Sequence, residues 1–84
     1  MNSNDIYAII STLDQAAAAA TDMPEWLTVQ RGYEGLRSIL LRSIVDPGSK
    51  ELYMGHAAVI DAHRDSAFKA ALERWYPTAE QEAP

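Results

Sequence analysis

The chain has 84 residues, 48% of them hydrophobic, no cysteine and a net charge of −5, which predicts one packed domain without disulfides or thiolate metal sites. The first 30 residues contain no lysine or arginine, so the basic footprint of a nucleic-acid-binding or membrane-surface segment is missing there. No apolar run is long enough to span a membrane and no signal-peptide pattern is present, so we expect a cytoplasmic protein that binds neither nucleic acid directly nor membranes.

The first segment predicts a helix over about residues 4–20. Its apolar side chains recur in steps of three and four residues, which places them on one helical face. The members of this stripe are Ile6, Ile9, Leu13, Ala16 and Ala20. Ser3 or Asn4 is positioned to cap the start of the helix, because their side chains accept hydrogen bonds from its first N–H groups.

The second segment predicts a helix over about residues 24–45, with Pro24 in its first turn. The same three-and-four spacing is repeated by Trp26, Val29, Tyr33, Leu36 and Leu40. Gly32 and Gly35 each cost a helix interior about 1 kcal/mol relative to alanine, and the alternative is a break with a restart at Tyr33 or Glu34. We favour one continuous helix because the stripe keeps its phase across both glycines.

The third segment predicts a helix over about residues 49–76, capped by Ser49 after an Asp46–Pro47–Gly48 turn. It carries two apolar faces. The stronger face holds Tyr53, Ala57, Ile60, Ala67, Phe68, Ala71 and Trp75, with Arg64 among them, and the second holds Leu52, His56, Val59, His63 and Ala70. The polar, acidic residues 77–84 are predicted to form a flexible tail.

Together these segments predict an all-α fold, an antiparallel three-helix bundle formed by a single domain over residues 1–76. In this topology Trp26 and Trp75 lie at the same end of the bundle. They could pack together, or one of them could be exposed beside Tyr76 as an anchor for a partner.

The sequence offers no pattern typical of catalysis or of a bound ion. His56 and His63 are seven residues apart, whereas two histidines that bind one metal ion from a helix are three or four residues apart. The serines lie in no nucleophile-elbow context, and no glycine-rich loop follows a strand. We therefore predict that the protein is not an enzyme and has no catalytic residue, no metal site and no cofactor.

Protein binding is the predicted function. The third helix carries a second apolar face in addition to the one that a core needs, and an extra apolar face is typical of an interaction surface. Aromatic residues close to a helix end are favoured anchors for a partner. The predicted partner-binding residues are Leu52, His56, Val59, His63, Trp75 and Tyr76. The partner is another protein or a second copy of the chain in a homodimer or larger homo-oligomer.

Several residues between Trp26 and Trp75 form a pattern that resembles a known group of proteins. They are Trp26–Leu27, Arg31, Leu36, Leu40, the Pro47–Gly48 turn, Tyr53–Met54–Gly55–His56, Phe68 and Leu72. This pattern resembles the small helical-hairpin accessory proteins of tailed bacteriophages. The resemblance implies an inhibitor of a host protein, anti-CRISPR-like or otherwise host-directed, acting in the host cytoplasm, or an assembly accessory of the phage particle.

An acidic surface suggests one further alternative. Asp5, Asp14, Asp22 and Glu25 precede the first basic residue of the chain. Clustered carboxylates can substitute for phosphates in a basic nucleic-acid-binding site. The alternative function is therefore an inhibitor that mimics nucleic acid with the acidic N-terminal half.

Overall fold

The computed structural model describes residues 2–77, and these residues form three α-helices and no strand. The helices are α1 (Ser3–Ala19), α2 (Met23–Arg42) and α3 (Pro47–Trp75). Each helix packs against the other two, so the predicted all-α three-helix bundle is confirmed. Of the tail predicted over residues 77–84, all but Pro77 lies outside the described residues.

Aspartate caps start the second and third helices. Asp22 Oδ1 accepts the Glu25 N–H at 2.9 Å, and Asp46 Oδ1 accepts the Ser49 N–H at 2.8 Å. Asp46, and not the predicted Ser49, therefore caps the third helix. Pro47 fits the first helical turn because it needs no N–H partner there, so α3 begins two residues earlier with Asp46 as its cap.

Two other helix ends also differ from the prediction. Asn2, rather than Ser3 or Asn4, caps α1. The second helix ends before the predicted residue 45, because Ser43 caps it by donating hydrogen bonds to its last carbonyl groups. The Ser43 hydroxyl donates to the Ile39 carbonyl at 2.8 Å, and its N–H reaches the same carbonyl at 3.1 Å.

The second helix is continuous through both of its glycines, as predicted. A methyl group added at Gly32 would lie 2.5 Å from Leu13 Cδ2, so glycine allows Leu13 of α1 to pack directly on the backbone of α2. A methyl group added at Gly35 or Gly55 would meet nothing within 4 Å. Only the first of these glycines is explained by packing between helices.

One face of each helix forms the core. The buried cluster consists of Ile6, Ile10, Ala17, Trp26, Tyr33, Leu36, Leu40 and Ile60. Every member of the stripe predicted for α2 is buried or partly buried. The stripe of α1 is rotated from the prediction: Ile10 and Ala17 are buried, whereas Ile9 and Ala16 are exposed. The reason is that α1 lies over both other helices, so its buried line faces the groove between them.

The helices alternate in direction. Ser3 is hydrogen-bonded to His56 near the start of α1, and the carbonyl of Ala20 just after α1 accepts the Trp75 indole N–H, so α1 and α3 run parallel. The second helix runs opposite to both. Residues 47–55 of α3 consequently extend past the start of α1, and only the end of α2 lies alongside them.

Candidate functional site

His56, one of the predicted partner-binding residues, lies buried between α1 and α3. Its Nε2 is 3.3 Å from Ser3 Oγ, and its ring meets the ring of Tyr7 edge-on with centroids 5.7 Å apart. Leu52, one turn earlier on α3, lies beyond the start of α1 and is exposed. The predicted stripe therefore begins with an exposed leucine and continues into the α1–α3 contact.

Val59 and His63 continue that contact. Val59 is partly buried against the core, and His63 Nδ1 is hydrogen-bonded to Asp14 Oδ2 at 2.8 Å. The other oxygen of Asp14 accepts the hydroxyl of Tyr33 at 2.6 Å, so one carboxylate joins all three helices. Burial of the phenol, followed by the hydrogen bond and the negative charge of Asp14, raises the pKa of Tyr33.

A cleft of about 250 Å³ opens between α1 and α3 beside this carboxylate. Asp14 fixes the orientation of the His63 ring, which is one element of a general-base pair. Ser66 lines the same cleft, but within residues 2–77 it makes no hydrogen bond to His63. In the same part of the chain no three histidine, aspartate or glutamate side chains come together as metal ligands. The hydrogen bonds of Asp14 to Tyr33 and His63 join the three helices.

The last two predicted residues, Trp75 and Tyr76, point in different directions. The Trp75 indole donates to the Ala20 carbonyl at 3.2 Å, and Arg74 Nη2 donates to the carbonyls of Ala17 and Ala20 at 3.1 and 3.3 Å. A cation is favourable at these carbonyl groups because a helix C-terminus carries partial negative charge. Tyr76, in contrast, is 69% exposed.

A hollow of about 560 Å³ lies beside Tyr76 on the outer side of α3. Phe68, Leu72 and Tyr76 follow one another every four residues and supply its apolar surface. Charged residues bound it, namely Asp65, Lys69 and Glu73. The ring of Phe68 stacks on Trp26 of α2, with centroids 5.0 Å apart and 23° between the planes. The base of the hollow is therefore fixed by the core.

Two exposed apolar residues of α2 lie on the flank that faces this part of α3. Met23 is 39% exposed and Leu27 is 45% exposed. Glu34, seven residues after Leu27 and so on the same side of the helix, lines a cleft together with Arg64 of α3. We name as the α2–α3 apolar patch the residues Met23, Leu27, Phe68, Leu72 and Tyr76.

A polar cleft of about 470 Å³ continues the same face toward the middle of the bundle. Arg37 Nε donates to Asp61 Oδ2 at 3.1 Å. Asp61 Oδ1 is buried and has no hydrogen bond within the described residues, but Arg64 Nη1 lies 3.3 Å from it as an ion pair. Arg64 also donates from Nε and Nη2 to Asp65 Oδ1, each at 3.2 Å.

The acidic residues of the N-terminal half are largely engaged within the chain. Asp14 accepts hydrogen bonds as described above, and Asp22 caps α2. Glu25 accepts the N–H and the hydroxyl of Thr21 at 3.3 and 2.9 Å. Three of the four carboxylates considered as a phosphate substitute therefore already have intramolecular donors.

Of the α2–α3 apolar patch, only Tyr76 was predicted from the sequence as a partner-binding residue. Phe68 was assigned to the core face, and Leu72 was assigned to neither face. The overlooked signal is the repeat of Phe68, Leu72 and Tyr76 every four residues. Each step of four advances about 40° beyond a full turn, so this line slants away from the buried face and reaches the surface at Tyr76.

Comparisons with protein families, curated proteins and solved structures gave no match. Among the described residues, no helix is both long and apolar enough to cross a membrane.

Proposed function

We propose that this protein is a protein-binding module that binds its partner through the α2–α3 apolar patch. The observation that carries the proposal is the exposed Tyr76 beside a hollow that Phe68 and Leu72 line. Met23 and Leu27 add exposed apolar surface on α2. A contiguous apolar patch with a charged rim is typical of an interaction surface. Aromatic and methionine side chains are also enriched at protein interfaces.

The other end of the bundle supports such a site less well. Leu52, Met54 and Val45 are exposed there, but Leu52 and Met54 are two residues apart and so point about 200° from each other around α3. Val45 lies in the connection between α2 and α3. Scattered exposed apolar residues are normal for a soluble domain, so we place the binding site at the α2–α3 apolar patch.

The proposed activity is occupancy of a partner's surface, without a catalytic step. An inhibitor of a host protein and an assembly accessory, the two roles implied by the phage resemblance, would both use the same patch. Nucleic-acid mimicry is less well supported, because Asp14, Asp22 and Glu25 are engaged within the chain.

Site-specific photo-crosslinking tests this proposal. A photoreactive residue is placed at position 76 in the patch and, as a matched control, at position 45, which is also exposed. Cells that make the protein are irradiated, and the covalent adducts are identified. We expect one discrete protein adduct from position 76 and none of the same identity from position 45.

The captured protein is then purified and titrated against variants that keep the fold. The double variant Leu27→Ser/Tyr76→Ser should weaken binding at least about tenfold, since each side chain contributes exposed apolar area. The control Leu52→Ser/Met54→Ser should stay within about twofold. Unchanged binding by the first double variant, or a common adduct from both positions, would overturn the proposal.

A further inference from the structure

We infer that His63 is a nucleophile that hydrolyses short-chain aryl esters in the cleft between α1 and α3, with Asp14 as its positioning residue. This cleft shares no residue with the α2–α3 apolar patch. The inference therefore goes beyond the proposed function, and either of the two can fail without the other. It follows from the orientation of one imidazole, its unoccupied nitrogen and the alanine-lined space beside it.

Asp14 determines which nitrogen of His63 carries the ring proton. Its Oδ2 is 2.8 Å from His63 Nδ1, and its Oδ1 accepts the hydroxyl of the buried Tyr33 at 2.6 Å. An ionised carboxylate only accepts hydrogen bonds, so the neutral imidazole keeps its proton on Nδ1 and its lone pair on Nε2. The pair is separated by 49 residues in sequence, and for this reason no local motif indicated it.

The Nε2 nitrogen of His63 is free to react. Within residues 2–77 it makes no hydrogen bond, and 44% of the side chain is exposed. The other histidine of the chain, His56, is buried, and its Nε2 lies 3.3 Å from Ser3 Oγ. The fold therefore exposes one imidazole in a fixed orientation and covers the other.

Space for a small substrate lies beside the ring. The cleft of about 250 Å³ and a neighbouring hollow of about 270 Å³ are both lined by His63 and Ser66. Much of the cleft wall is apolar and is formed by small side chains, namely Ala17, Ala18, Ala67 and Ala70. An apolar cleft with a few polar groups is the usual form of a small-molecule site. A short acyl chain matches its walls, and the neighbouring hollow leaves room for the aryl group.

The inferred reaction has two steps. The Nε2 lone pair forms a bond to the acyl carbon, and the bond from that carbon to the ester oxygen breaks, so that the phenol leaves as a phenolate. Asp14 stabilises the positive charge that the ring gains. Water then attacks the acyl carbon, and the bond to Nε2 breaks and returns its electron pair to the ring. The water supplies a hydroxyl to the carboxylic acid and a proton to the phenolate.

Hydrolysis of p-nitrophenyl acetate by the whole chain tests this inference. The same protein unfolded in urea measures the reactivity of both histidines without the fold, and free imidazole corrects for the effect of urea. We expect the folded protein to react at least about tenfold faster than the unfolded chain. His63→Gln should abolish this excess, whereas His56→Gln, which removes the buried imidazole, should keep it within about twofold. Thermal melts establish that each variant is folded in the assay.

Asp14→Asn tests positioning separately from packing. The asparagine carbonyl still accepts the Tyr33 hydroxyl, but its amide donates to His63 Nδ1, which moves the ring proton to Nε2. We expect kcat to fall at least about tenfold with KM within about twofold. The ¹⁵N spectrum of the ring should show the proton on Nδ1 in the wild type and on Nε2 in the variant. An unchanged kcat would contradict the role assigned to Asp14.

A substitution in the cleft tests where the ester binds. Ala70→Leu fills part of the cleft and should raise KM at least about threefold. Ala58→Leu, the same change at an exposed alanine of α3 outside the cleft, should leave KM unchanged. Equal rates for the folded and unfolded chains, an excess that survives His63→Gln, or a stable acyl group on Ser66 in mass spectra would overturn the inference. None of these results bears on binding at the α2–α3 apolar patch.

Discussion

Tyr33 on α2 donates its hydroxyl to Asp14 on α1 at 2.6 Å, from a side chain that is completely buried. The second oxygen of Asp14 binds His63 of α3. This carboxylate is thus the point at which polar contacts join the three helices. Its two contacts have different environments, because the phenol is buried whereas the histidine is partly exposed, and they should have different energetic weights.

The Tyr33 phenol should make the fold sensitive to alkali. Its pKa is raised in the folded protein above the ordinary value of 10.0, so above pH 10 the unfolded chain binds fewer protons than the folded one. The free energy of unfolding should then fall with rising pH, by at most about 1.4 kcal/mol per pH unit. Tyr33→Phe should show a shallower decline between pH 10 and 12 in urea titrations. Parallel curves for the two proteins would contradict this prediction.

Removal of Asp14 should cost more stability than removal of His63. Asp14→Ala leaves the buried Tyr33 hydroxyl without its acceptor, at a cost of about 1–3 kcal/mol. His63→Ala removes a partly exposed hydrogen bond between two side chains, which contributes about 0.5–1.5 kcal/mol. Chemical denaturation measures both, and Asp14→Ala made in a Tyr33→Phe background is the control. The prediction fails if the Asp14 substitution costs as much there as in the wild type.

The two glycines inside α2 should respond in opposite ways to alanine. Gly35→Ala meets empty space and should stabilise the protein by about 0.5–1 kcal/mol through backbone entropy. Gly32→Ala forces Leu13 to move, and overpacking costs about 1–3 kcal/mol, which offsets the same entropic gain. Thermal melts of the two variants should therefore differ in favour of Gly35→Ala. Equal melting temperatures would show that Leu13 adapts without cost.

The fold was predictable because local patterns and global packing agree in this chain. The apolar stripe from Trp26 to Leu40 correctly predicted the helix α2 and its buried face. The buried face of α1 was less predictable. Every residue from Ala16 to Ala20 is an alanine, so the sequence does not indicate which of them faces the core. Ala17 is buried because α1 packs against both other helices. The start of α3 was misplaced because two capping residues, Asp46 and Ser49, compete within one turn.

The candidate site was less predictable than the fold. Whether a side chain on α3 meets α1, α2 or solvent depends on helix lengths and crossings that spacing alone does not determine. His56 is covered only because α1 begins beside it, and Leu52 is exposed because α1 does not extend further. Tyr76 was predicted as a partner-binding residue because it is an aromatic residue at the end of the bundle, and it is 69% exposed.

The most direct test of the central claim is the set of amide chemical shifts of the ¹⁵N-labelled protein with and without the captured partner. Binding at the α2–α3 apolar patch should concentrate the changes in residues 23–31 and 61–76, with small changes in α1 and residues 47–55. Changes concentrated in α1 or in residues 47–55 would contradict the claim that the patch is the binding site.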